Sequence, residues 1–137
     1  MIMVYIASPY TKGDHTDNAC VQMDMADKLM SLGYCPIAPL LTHFQAIYKP
    51  RPYEDWMAIC MEKVRRSDVV LRLPGESAGA DREVAYALSH RIPVVYSLED
   101  LKNIEQRLQP SDVLNKINPL DCKGLPLNAT VGKTDTR

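Results

Sequence analysis

Three residues in the segment PGESAGADRE, Ser77, Gly79 and Glu83, have the types and spacing of a small anion site with a carboxylate beside it. Ser77 precedes an apolar stretch of helical period, so it reads as an N-cap. Its hydroxyl and the free amides of Ala78 and Gly79 then converge at the positive end of the helix dipole, which favours a phosphate or carboxylate. Plain N-capping is the commoner role for such a serine, while Gly79 lets a ligand approach the backbone. At about 100° per residue, Ala80, Val84, Ala87 and Leu88 form the stripe facing the rest of the protein, and Glu83 lies about 40° from Ala87, at its edge. A carboxylate there is partly withdrawn from water. It stands about a turn and a half from Ser77, roughly the span from a nucleotide 5′-phosphate to its anomeric carbon at about 1.5 Å per residue. The alternative is an edge glutamate that reaches solvent or pairs with Arg82 or Arg91.

Tyr5 lies in an apolar N-terminal run and reaches Glu83 if the two segments are neighbours; a core tyrosine with a satisfied hydroxyl is the commoner case. The loop Ser8-Pro9-Tyr10-Thr11-Lys12-Gly13-Asp14 follows that run and holds further polar groups. His43, Tyr48, Asp55 and Trp56 are candidates for walling the side opposite the anion site, although a lone histidine is more often a surface or packing residue. Two other patterns carry no chemistry. Gly132-Lys133-Thr134 is like the end of a P-loop, but Leu127 stands where its first glycine belongs, and no G-x-G-x-x-G follows the first apolar run. Cys20, Cys35, Cys60 and Cys122 fall singly, with no C-x-x-C pair, so neither zinc nor any other metal is expected.

These residues need elements to position them. Residues 1–7 (MIMVYIA) suit a strand covered on both faces. Ala19, Met23, Ala26 and Met30, closed by Gly33, have helical spacing. Residues 34–38 read as a second strand, 39–52 as an irregular connection, and 53–66 as a helix with Trp56, Ile59, Cys60 and Val64 on one face. Residues 68–73 (DVVLRL) form a third strand, 78–90 a helix, 93–96 a fourth strand and 98–108 a last amphipathic helix. This alternation predicts a three-layer α/β fold: a Rossmann-like or flavodoxin-like open parallel sheet of four to five strands with helices on both faces. In such sheets ligands bind at the carboxyl ends of the strands, which is where both candidate loops fall. One α/β domain over residues 1–110 and a partly flexible C-terminal extension over 111–137 are expected.

Composition narrows the partners. The chain has 137 residues, 46% hydrophobic and 24% charged, with a formal net charge of -1. Nothing in that balance holds a nucleic-acid polymer or an anionic bilayer, so a small molecule is the expected partner. No leader and no apolar span is evident, which makes the cytoplasm with reduced thiols the expected location. The sequon Asn128-Ala129-Thr130 is then a chance match.

The strand and loop VYIASPYT (residues 4–11) and the segment SDVVLRLPGESAGADREVAYAL (residues 67–88) resemble the nucleoside 2-deoxyribosyltransferase superfamily. The resemblance extends to about residue 95. It implies that Glu83 is a nucleophile and that Tyr5 orients it. A serine at position 77, with Gly79, is similar to the branch that cleaves nucleoside 5′-monophosphates, where the serine holds phosphate. The reaction implied is N-glycosidic cleavage through a glycosyl-glutamate, without metal or other cofactor. Transfer between bases and non-catalytic nucleotide binding are the alternatives, and a homodimer or larger homo-oligomer is implied. Ser8 and Lys12 are the phosphate contacts left in a first loop that departs from the family, with Tyr10 beside them. The family's general-acid aspartate has no counterpart: Cys60 stands at its position, and Asp55, a turn or more earlier, is the nearest substitute.

Overall fold

A computed structural model describes residues 1–108. The chain runs through strand β1 (Met3–Ala7), helix α1 (His15–Ser31), strand β2 (Cys35–Ile37), a 3-10 turn (Pro39–Thr42) and helices α2 (His43–Tyr48) and α3 (Tyr53–Arg65). Strand β3 (Val69–Arg72), helix α4 (Ala78–Ser89), strand β4 (Val94–Val95) and helix α5 (Leu98–Leu108) follow. The four strands pair in parallel in the order β2-β1-β3-β4, so the protein is an open parallel α/β sheet. The expected extension over 111–137, with its sequon and Gly132-Lys133-Thr134, lies outside the described residues.

Alternation along β1 divides the core into two layers. Val4 and Ile6 face one way and join Leu29, Val69, Leu71 and Leu101 under α1 and α5. Tyr5 and Ala7 face the other way, with Val64, Val70, Ala80 and Ala87 under α3 and α4. Every buried strand residue of β1 and β3 is therefore covered on its own side, which is why their sequences are almost continuously apolar. Asp68 sits at the opposite end of the sheet from the candidate site, accepting a bond from the Met3 amide at 2.7 Å.

Helix ends follow their local chemistry. Asp14 caps α1, accepting from the amides of Thr16 and Asp17 at 2.8 and 3.0 Å. The helix closes on Gly33 at φ 86°, with the Tyr34 amide reaching back to the Leu29 carbonyl at 3.0 Å.

Helix phases differ by about a residue from the apolar spacing. In α1 the buried positions are Ala19, Gln22 and Leu29, while Met30 is exposed. In α3 they are Met57 and Val64, with Ile59 exposed, and in α4 they are Ala80, Glu83 and Ala87, with Leu88 exposed. Residues 39–52, expected to be irregular, contain the 3-10 turn and α2, which Pro39 starts and Lys49 ends.

Candidate functional site

The chain leaves β1 toward β2 on one side, and β3 lies on the other, so the carboxyl ends of β1 and β3 flank the point where the strand order reverses. Ala7 is in register with Arg72, and the loops that follow face each other. Those loops interlock. Gly75 has φ 113°, and a Cβ there would stand 2.7 Å from Pro9 Cγ, while Lys12 pairs with Glu76.

Beside this junction a cleft enclosing about 730 Å³, its open mouth included, is lined by Ser8, Tyr10, His43, Trp56, Ser77, Gly79 and Glu83. Thr42, Tyr53, Met57 and Cys60 add to the wall.

Glu83 is 6% exposed, not at the rim of the helix's buried stripe but within it. Tyr5, wholly buried one layer below, donates its hydroxyl to Glu83 Oε1 at 2.8 Å across 78 residues of sequence. Burial pushes the Glu83 carboxyl up to about 7, against the hydrogen bond from Tyr5, the nearby Cys60 thiol and the charge of Arg72, which favour the ionised form. The Tyr5 hydroxyl is driven far above its ordinary range, first by burial and then by the neighbouring Glu83 charge. Burial also raises the Cys60 thiol. Neither pairing considered from the sequence occurs at Glu83: Arg82 instead donates to the Glu54 carboxylate at 3.0 and 3.1 Å.

Ser77 caps α4, its Oγ accepting from the Ala80 amide at 3.2 Å, and its own hydroxyl proton remains to donate. The amides of Ala78 and Gly79 belong to the first turn, where no intrahelical carbonyl is available. Gly79 is explained by packing: a Cβ would stand 2.9 Å from Tyr53 Oη, so the glycine admits that hydroxyl to the start of the helix. Ser8 accepts from Gln22 Nε2 at 2.8 Å, and its proton is likewise free to donate. Gln22 also donates to the Ile6 carbonyl at 3.0 Å and accepts from the Leu40 amide at 2.7 Å, fixing β1, α1 and the 3-10 turn around one wall of the cleft.

On another wall, Tyr10 Oη lies 2.8 Å from His43 Nδ1, and Thr16 Oγ1 lies 3.3 Å from His43 Nε2. Three sequence-derived candidates stand elsewhere, the first being Tyr48, which is exposed on α2 and does not line the cleft. Asp55 is exposed on α3, 3.7 Å from Arg51, because its position on the helix faces outward from Met57 and Val64. Lys12 is drawn to Glu76 on the outer side of the loop junction and does not line the cleft.

Gln22, Tyr53 and Arg72 were not singled out by sequence reasoning. Arg72 is buried at the end of β3 and donates to the Gly75 carbonyl at 2.8 Å and to Asp81 at 3.0 Å, tying the third loop to α4. Its signal was a lone cation in the apolar run DVVLRL; Gln22 had the corresponding signal, a polar residue on an otherwise apolar stripe.

Among the described residues no three His, Cys, Asp or Glu side chains gather as a metal site requires, and no helix is long and apolar enough to cross a membrane. A family model, the domain of unknown function DUF4406, matches residues 2–96, a span that contains every residue of the cleft. No curated protein and no solved structure matches the chain.

Proposed function

The chain belongs to the DUF4406 family, and we propose that it cleaves the N-glycosidic bond of a ribo- or deoxyribonucleoside 5′-monophosphate. The observation that carries this reading is the buried Tyr5–Glu83 hydrogen bond in the wall of a small cleft that also contains the N-terminus of α4. One Glu83 oxygen is held by Tyr5, which leaves the other for attack on C1′. The C1′–O bond forms as the C1′–N bond breaks, giving a glycosyl ester; water then attacks C1′ and releases the sugar phosphate and the carboxylate. The free donors of Ser77 and Ser8 and the first amides of α4 suit a dianionic phosphate, and binding there aligns C1′ with Glu83. Lys12 and Asp55, which stand outside the cleft, are not assigned steps.

A second base in place of water would make the same site a deoxyribosyltransferase. The outward position of Asp55 favours one further reading, a nucleotide-binding protein without turnover. Incubation with a panel of nucleoside monophosphates, followed by chromatography for free base, tests these. The glycosidase reading expects release by the wild-type protein and none by Glu83→Gln, with ligand binding retained; binding without release by either protein favours the binder.

We also assign the protein to the cytoplasm as a homodimer or larger homo-oligomer. Exposed Leu41, Phe44, Ile47 and Tyr48, grouped on the 3-10 turn and α2 beside the cleft, support the assembly.

A further inference from the structure

We infer that the hydrogen-bonded pair of Tyr10 and His43 supplies the proton to the departing base. This rests on the glycosidase reading and adds to it the acid that reading lacks. A purine or pyrimidine leaves poorly as an anion, so a proton donor must stand in the cleft. Besides Glu83, the ionisable side chains lining it are Tyr10, His43, Tyr53 and Cys60.

Cys60 stands beside Tyr5 and Glu83, on the nucleophile's own side of the cleft. The Tyr53 hydroxyl stands against Gly79, at the helix terminus that suits the phosphate. Tyr10 and His43 remain. His43 is 7% exposed and has a hydrogen-bond partner at each ring nitrogen, so the ring is held in one orientation. Leu40, Ala46 and Trp56 line the same cleft and offer a flat base an apolar slot. The groups facing His43 are Tyr10 and Thr16, with Asp14 and His15 close by. The Asp14 carboxyl is held below its usual range, first by the Asp17 and Thr16 amides and also by the charges of His15 and His43.

With both ring nitrogens protonated, His43 Nδ1–H donates to Tyr10 Oη across their 2.8 Å contact. As Glu83 bonds to C1′ and the C1′–N bond breaks, the Tyr10 proton passes to the base nitrogen and the Nδ1 proton passes to Tyr10, leaving neutral imidazole. Water then attacks C1′, the ester C1′–O bond breaks, and the proton of that water returns through Tyr10 to His43. Every atom and charge is restored.

The test compares a monophosphate that the wild-type protein cleaves with a counterpart whose base departs without protonation. An N7-methylated purine or a 5-fluorinated pyrimidine serves. Tyr10→Phe and His43→Gln should each lose roughly 100- to 10,000-fold in kcat on the ordinary substrate. On the activated one the loss should stay within about tenfold, the methyl or fluorine having replaced the acid. Equal losses on both substrates would make the pair structural and overturn the inference while leaving the glycosidase reading intact. Base release from neither substrate by the wild-type protein would overturn both.

Discussion

The carboxyl of Glu83 is poised by opposing forces: burial raises it to about 7, while Tyr5, Cys60 and Arg72 all favour its charge. A nucleophile needs the charged form, so the same environment that shields the anion from water also costs stability once it ionises. The sign follows from linkage. The folded pKa is above the ordinary 4.5, so between those values the folded state holds a proton that the unfolded chain releases. Stability is therefore fully present below about pH 4.5 and declines as pH rises through about 7. Glu83→Gln keeps the acceptor for Tyr5 and removes the titration. Urea unfolding should show the wild-type protein losing about 2 kcal/mol relative to this variant between about pH 5 and about pH 8. Parallel stabilities across that range would contradict the burial argument. That Glu83 shares a cleft with Ser77 was legible in their spacing; its depth was not, because a carboxylate on a buried stripe is read most simply as an edge residue.

Strands, most helices and the closing Gly33 could be read from local chemistry, since caps and β-rich apolar runs act within a few residues. Helix phase was less legible. Leu29 and Met30 are adjacent and both apolar, so spacing alone chose the exposed one, and buried Gln22 and Glu83 took stripe positions that apolar counting leaves empty. Helix α2 is too short to show a period. The two loops that make the site meet most closely at one backbone feature, the positive φ of Gly75 against Pro9. Gly75→Ala should cost about 1–3 kcal/mol in denaturant unfolding, from strain at that φ and from the Cβ meeting the proline. An unchanged midpoint would show that the loops are not locked there.

Strand order brings together residues far apart in the chain, and the order β2-β1-β3-β4 is one of those that alternating strands and helices with right-handed connections allow. Pairing between loops does not follow from it, which is why Glu76, the partner of Lys12, was invisible in the sequence; Arg51 stands only four residues before Asp55, a local spacing that the sequence does show. The exposed apolar group on α2 predicts an assembly at twice the 15.4 kDa chain mass or more in light scattering, and a monomer at all concentrations would remove the proposed oligomer. The central claim is a covalent bond between Glu83 and a sugar. It is tested most directly by mixing the protein with a 2′-fluorinated nucleoside monophosphate, whose fluorine slows breakdown of the ester, and measuring intact and peptide masses. The account predicts an added glycosyl phosphate on the peptide containing Glu83, absent from Glu83→Gln; base release with no adduct, or an adduct on another residue, would contradict it.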